Sequence, residues 1–144
     1  MSKSNTFEND YLKLVFWGTA IANIADNAAV SPLTNIYIAL HTGDPGESGV
    51  QSTNEISYTG YARVAVARSA AGWAISGNVV TPVANIAFPN PTAVTGTPVA
   101  THCSIGVAVS GASKILYRGV LNPGIQIIVG KPPTILTTSS INED

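Results

Sequence analysis

Charged side chains are scarce in this sequence. They make up 10% of its 144 residues while 45% of the residues are hydrophobic, whereas about 25% charged residues are usual in soluble domains. No Asp, Glu, Lys or Arg occurs between Arg68 and Lys114. A free monomer would have to cover that half with uncharged polar residues alone, so we expect a lasting protein interface and a homo-oligomer.

A basic surface is also lacking. The formal net charge is -1, and the seven Lys and Arg residues are scattered along the chain. Binding of a polyanion requires clustered positive charge, so the sequence argues against nucleic acid as a partner.

The N-terminal region predicts neither a membrane span nor a signal peptide. The apolar stretch 14–25 is interrupted by Gly18 and Asn23 and is too short to span a bilayer. Glu8 and Asp10 precede it, where a signal peptide would be basic. We therefore expect a protein that is made in the cytoplasm and has no membrane partner.

Cysteine is limited to Cys103, which excludes an internal disulfide and leaves stability to packing or assembly. His102 precedes it, but adjacent residues of a strand face opposite sides. A Cys–His nucleophile pair is therefore disfavoured, and Cys103 is interpreted as a small core residue. His41 closes a predicted strand and is expected to hydrogen-bond the following loop rather than bind a metal.

Signatures of catalysis and of cofactor binding are missing. There is no phosphate-binding glycine loop, no Gly-x-Ser-x-Gly and no zinc spacing. The acidic residues Asp44, Glu47 and Glu55 match no EF-hand pattern and are interpreted as solvated loop charges. We expect a protein that is not an enzyme, with no cofactor and no metal.

Apolar residues at helical spacing are present near the N-terminus. They predict one helix from about residue 9 to residue 26, preceded by a flexible arm of residues 1–8. The predicted buried face of this helix consists of Leu14, Trp17, Ile21 and Ile24.

Short β-like runs separated by Gly and Pro fill the rest of the chain. The predicted strands are 36–41, 61–68, 73–75, 78–81, 85–88, 102–109, 115–120, 125–129 and 134–138, with a tight hairpin at Ser76-Gly77. This spacing predicts a mainly β fold. Residues 9–144 are expected to form a single-domain β-sandwich or jelly roll that includes the N-terminal helix.

A long polar passage follows the first strand. In that strand Ile36, Ile38 and Leu40 alternate with other residues, as expected when one face is buried. Asp44-Pro45-Gly46 then predicts a turn, and the passage that continues to Tyr61 is longer than most loops. Such length indicates a functional loop or one that a partner orders.

This passage supplies the candidate functional residues. One of the two arginines that follow it, Arg63 or Arg68, is expected to reach back to Asp44 or Glu55 and hold the loop. The candidate partner-binding residues are Asp44, Pro45, Gly46, Glu47, Glu55, Tyr58 and Arg63.

Several motifs, in this order, resemble a group of small tailed-phage virion proteins. They are an N-terminal helix, Tyr37-Ile38-Ala39-Leu40-His41-Thr42-Gly43-Asp44-Pro45-Gly46, Glu55, Gly60-Tyr61-Ala62-Arg63-Val64, Trp73, Ile86-Ala87-Phe88-Pro89 and Ile105-Gly106-Val107-Ala108. The resemblance covers most of residues 10–130, and LHTGDPG followed by GYARV is its most specific part. Such sequences are often labelled tail fibre proteins, and some look like capsid cement (decoration) proteins.

The resemblance implies a virion protein without catalytic residues, made in the bacterial host. Elongated fibres tend to show repeats and periodic shafts, which this chain lacks. We therefore predict a capsid cement protein on the capsid surface, a homotrimer whose partners are itself and the major capsid protein and which stabilises the phage head. The alternatives are a tail fibre or tail-tip component and a module that binds a host surface glycan.

Overall fold

The computed structural model describes residues 4–21 and 33–143. The chain divides into two compact units. The first comprises Met1–Asn35, Ala67–Asn85 and Leu136–Asp144, and the second comprises Ile36–Val66 and Ile86–Ile135. Whether residues 9–144 fold as one domain stays a prediction.

The fold is mainly β, with an N-terminal helical segment and several antiparallel sheets. This confirms the predicted fold class and is consistent with a β-sandwich. The strands of the described residues are, in chain order, β1 (Asn35–His41), β2 (Val64–Ala67), β3 (Trp73–Ser76), β4 (Val79–Pro82), β5 (Ile86–Ala87), β6 (Val99–Gly106), β7 (Ile115–Gln126), β8 (Thr134–Ile135) and β9 (Ile141–Asn142).

The helical segment of the first unit begins earlier than predicted. The helix α1 spans Asn5–Leu12 and continues as a π-helix over Lys13–Trp17. It begins at residue 5 because the Ser4 hydroxyl accepts a hydrogen bond from the backbone N–H of Phe7 at 3.3 Å. Residues 5–8 of the predicted flexible arm are therefore its first turn. Residues 1–3 and the predicted end of the helix at 22–26 lie outside the described residues.

Gly18 ends the helical segment with a φ of 69°, a left-handed conformation that glycine adopts without strain. The predicted buried face shifts accordingly. Leu14, Trp17 and Ile21 are half-buried, and Ile24 lies outside the described residues. Leu12 and Phe16, spaced by four, are fully buried instead, so the buried face is offset from the predicted one.

Phe16 packs edge-to-face against Trp73, with ring centroids 4.8 Å apart. Trp73 begins β3 of the antiparallel sheet β3-β4-β9, which also belongs to the first unit. The tight hairpin predicted at Ser76-Gly77 joins β3 to β4, where Gly77 has a φ of 60°. The same unit contains Arg68, which donates to the main-chain oxygens of Leu14 and Val15.

The second unit is built on a four-stranded sheet with the order β2-β1-β6-β7, beside a small β5-β8 pair. Strands β1 and β6 are antiparallel, from Tyr37 opposite Gly106 to His41 opposite His102. As predicted, Ile36, Ile38 and Leu40 of β1 are buried. Ala39 and His41 are buried as well, so the second half of β1 is covered on both faces rather than on one.

Strand β7 replaces two predicted strands, 115–120 and 125–129. Strand β6 pairs with both halves, since His102 lies opposite Val120 and Ala100 lies opposite Ile125. The residues between the halves form an irregularity within one strand rather than a turn between two. No helix in the described residues has both the length and the apolar character needed to cross a membrane.

Candidate functional site

The loop that follows β1 folds back onto that strand. The backbone N–H of Ile56 donates to Leu40 O at 2.9 Å, and the N–H of Thr42 donates to Asn54 O at the same distance. Residues 42–55 therefore leave β1 and return beside it, and this segment is called the return loop below.

The predicted turn at the start of the return loop is present. Asp44 accepts a hydrogen bond from the backbone N–H of Gly46 at 2.9 Å, and Gly46 has a φ of 79°. A Cβ atom on Gly49 would lie 1.9 Å from Pro45 O. Glycine at position 49 is therefore required for the tight course of the chain here.

The exposed part of the return loop forms ion pairs with β7. One guanidinium nitrogen of Arg118 lies 2.7 Å from each Asp44 oxygen, and another lies 2.7 Å from a Glu47 oxygen. The N–H of Gly46 and the Arg118 guanidinium lower the pKa of Asp44 below its usual range. Because these groups are in contact with water, the pairs orient the loop more than they stabilise it.

The buried side of the loop is held by Arg63. Its guanidinium forms a two-pronged ion pair with Glu55, with Nε–Oε1 and Nη2–Oε2 distances of 2.7 Å. It also donates to the main-chain oxygens of Ala108 and Gly111 at 3.0 and 2.7 Å. The Arg63 side chain is 1% exposed, so the prediction that one arginine holds the loop through Glu55 is confirmed.

Gln51 extends this buried cluster. Its side chain is fully buried, accepts from the hydroxyl of Ser113 at 2.8 Å, and donates to Tyr37 O at 2.9 Å. A Cβ atom on Gly106 would lie 2.1 Å from the Gln51 side chain. Glycine on β6 thus provides the space into which Gln51 fits.

His41 completes the cluster and does what the sequence predicted, since it hydrogen-bonds the loop. Its Nδ1 lies 2.8 Å from Thr53 O and its Nε2 lies 2.7 Å from the hydroxyl of Ser104. A carbonyl can only accept, so Nδ1 carries the proton and Nε2 accepts from Ser104. Burial lowers the pKa of His41 below its ordinary value and favours this neutral form. We refer to Arg63, Glu55, Gln51, Ser113, His41 and Ser104 as the buried polar cluster.

Two tyrosines close the base of the loop. Tyr58 is buried, and its hydroxyl donates to Pro89 O at 2.8 Å. Tyr61 donates to a Glu55 carboxylate oxygen at 3.0 Å. Burial raises the pKa of Tyr58 to about 12 and also raises the pKa of Tyr61, so both phenols stay protonated at neutral pH.

An open groove of about 630 Å³ lies between the return loop and β7. It is lined by Gly46–Val50 on one side and by residues 112–116 and Arg118 on the other. Its charged groups, Glu47, Lys114 and Arg118, carry both signs. Such a lining fits a protein surface, whereas a site for one small ion would converge on a single point.

No set of three or more His, Cys, Asp or Glu side chains within residues 4–21 and 33–143 is arranged to hold a metal ion. Burial raises the pKa of the Cys103 thiol to about 11. The thiolate, which is the reactive form, is therefore disfavoured at neutral pH.

The structure separates the seven predicted partner-binding residues into two sets. Asp44–Glu47 lie at the loop surface, with Pro45 the one buried member. Glu55, Tyr58 and Arg63 lie at the buried base, where they hold the loop in place. Sequence reasoning missed Arg118 in the first set, although it is the one cation between Lys114 and Lys131. It also missed Gln51, Ser104 and Ser113 in the second set, because uncharged polar residues carry no signal of burial.

Comparison with known proteins identifies the family. A family model described as podophage GP4 fiber I protein gp80 matches residues 2–141. The chain belongs to this family. No curated protein matches the sequence. The match extends over nearly the whole chain, and the return loop and the groove lie within the matched range.

Proposed function

We propose that this protein is a non-catalytic structural component of a podophage tail fibre. Membership of the fiber I family over residues 2–141 carries the proposal. That membership makes the chain a structural phage virion protein. We propose, in addition, that it lies in the tail, that it contacts other virion proteins there and that it catalyses no reaction.

Among the two virion locations that the sequence left open, the family favours the fibre over the capsid. The prediction of a capsid cement protein that stabilises the phage head rested on the lack of repeats, and a short fibre component needs no repeats. The family description supports neither the major capsid protein as a partner nor the capsid surface as the location.

We further propose that the return loop and the groove form the surface by which this component contacts other virion proteins. The buried polar cluster fixes the loop before any partner arrives. Ordering a loop in advance reduces the conformational entropy that binding has to offset. The exposed loop residues Asp44 and Glu47 can therefore act as part of a preformed docking surface.

A glycan-binding role has less support from the structure. Carbohydrate sites use exposed aromatic rings beside polar groups, and Tyr58 is the one aromatic residue of the segment 44–58. Its side chain is 7% exposed and points its hydroxyl at Pro89 O. The ring is thus used for packing.

Localisation in purified virions tests the proposed location. Antibodies against the protein, coupled to gold, should label the tail of intact particles and leave the head surface bare. Virions from which the gene has been deleted serve as the control for non-specific labelling. Label distributed over the head at icosahedral positions would contradict the proposal and restore the capsid cement hypothesis.

A further inference from the structure

The strand β7 lies at one end of the four-stranded sheet. One side of it pairs with β6, and no strand of residues 4–21 or 33–143 pairs with its other side. An edge strand presents main-chain donors and acceptors that a further strand can pair with. Proteins that remain monomeric usually protect such an edge with charges, with proline or with bulges.

The middle of β7, from Arg118 to Val120, has little of this protection, since the irregular residues and Pro123 follow only after Val120. Its one charge, Arg118, is bound to Asp44 and Glu47 of the same copy. Val120 beside it is 70% exposed. A Cβ atom on Gly119 would meet no other atom within 4 Å, so no side chain covers the sheet face at this residue.

We propose that a second copy of the chain pairs its own β7 with this edge, antiparallel, about a two-fold axis at Gly119. An isologous contact of this kind uses the same edge in both copies. With Gly119 opposite itself, Arg118 lies opposite Val120 of the second copy. The two arginines do not face each other, and the aliphatic stem of each can cover a valine that is otherwise exposed.

The same register brings the second copy to the groove. Residues 122 and 123 of that copy lie opposite Leu116 and Ile115, which line the groove together with Arg118. Pro123 lacks an N–H and ends the pairing.

This proposal extends the proposed function but does not depend on the location in the tail. A ring of three copies contains no two-fold axis between neighbours. The two-fold contact and the trimer predicted from the sequence are therefore alternatives, and the mass of the assembled protein decides between them.

Cross-linking tests the contact directly. Cys103 lies opposite Gly119 on the neighbouring strand, so a cysteine at position 119 is introduced together with Cys103→Ala to prevent a bond within one copy. Under mild oxidation Gly119→Cys should give a covalent dimer on a non-reducing gel. Gln126→Cys in the same background is the matched control, because Gln126 is exposed on the same strand but outside the proposed pairing.

A second variant tests the contact without cysteine. Val120→Lys places a positive charge opposite Arg118 of the second copy. Because the contact is two-fold symmetric, this repulsion occurs twice. We expect a roughly tenfold higher dissociation constant for the dimer by sedimentation, with an unchanged circular dichroism spectrum. A wild-type protein that sediments as a monomer at high concentration, a trimer without cross-linking at position 119, or equal cross-linking at 119 and 126 would each overturn the proposal.

Discussion

At the residue scale, Arg63 illustrates how the contribution of an ion pair to stability depends on burial. Removing one member of a buried pair leaves the other charge without compensation, at a cost of about 3–5 kcal/mol. We expect Arg63→Ala to lower the free energy of unfolding by about this amount, because Glu55 loses both of its short contacts with the guanidinium. Chemical denaturation monitored by tryptophan fluorescence measures it.

Arg118→Ala is the matched control, since it removes the same side chain from an exposed pair. Water and salt screen exposed pairs, which contribute little to stability, so this variant should unfold nearly as the wild type does. Equal losses for the two variants would show that Arg63 is not a buried anchor of the return loop.

His41 predicts how stability depends on pH. Burial lowers its pKa in the folded state below the unfolded value of about 6.5. The unfolded chain therefore takes up the proton first, and stability that is fully present above pH 6.5 is lost as the pH falls. Between pH 7.5 and 5.5, above the pKa range of most carboxylates, we expect a loss of about 1 kcal/mol.

Unfolding curves at the two pH values measure this effect. His41→Gln should be less stable at both values and should show a smaller difference between them. His102→Gln, which alters the histidine opposite His41 in the sheet, should retain the wild-type difference. If that control instead removes the pH dependence, the assignment to His41 is wrong.

At the scale of elements, the fit between Gly106 and Gln51 determines whether the return loop is held. A methyl group at position 106 would overlap Gln51, so Gly106→Ala should displace the amide and leave buried partners unsatisfied. We expect a loss of about 1–3 kcal/mol and faster hydrogen exchange in residues 42–55. Mass spectrometry of exchanged peptides measures the latter.

Gly43→Ala provides the comparison for this variant. Its added methyl group would lie 3.6 Å from the Asn54 amide nitrogen, an ordinary contact, so exchange in the loop should stay near the wild-type rate. Fast exchange in this variant, or slow exchange in Gly106→Ala, would contradict the account of how the loop is held.

Strand β1 shows which structural features can be predicted from the sequence. The alternation of Ile36, Ile38 and Leu40 identified β1, because burial of one face follows directly from a period of two. The second buried face was not predictable. It exists because distant polar residues such as Gln51 and Ser104 satisfy one another there, and hydrogen bonding between distant residues leaves no periodic trace in the sequence.

The same lack of a sequence signal for distant contacts explains why the buried face of the helix was predicted incorrectly. The apolar pattern located the helix near the N-terminus, but it did not separate Leu12 and Phe16 from the predicted buried residues, because the buried face depends on the contact of Phe16 with the distant Trp73. In the candidate site, local chemistry was enough to predict the turn at Asp44-Pro45-Gly46. It also predicted that an arginine after the loop pairs with one of the loop's acidic residues. The role of Arg118, 74 residues from Asp44, depended on the strand order β2-β1-β6-β7.

At the scale of the whole molecule, the low charge content predicts how copies associate. The proposed contact consists of main-chain hydrogen bonds and apolar side chains, which salt does not screen. The mass of the wild-type assembly by light scattering should therefore be the same at about 0.1 M and about 1 M sodium chloride. Dissociation at the higher concentration would indicate that charged groups hold the copies together, contrary to this proposal.

The buried polar cluster has one more consequence, for survival outside the cell. A protease cleaves a loop only when a stretch of chain detaches and extends into its active site. The return loop is long and rich in small polar residues, which would ordinarily make it easy to cut. Because Gln51, Thr53 and Glu55 are each tied to the sheet or to its flanking loops, detachment requires breaking several buried contacts at once. A virion component built in this way can present a long surface loop to proteases and remain intact.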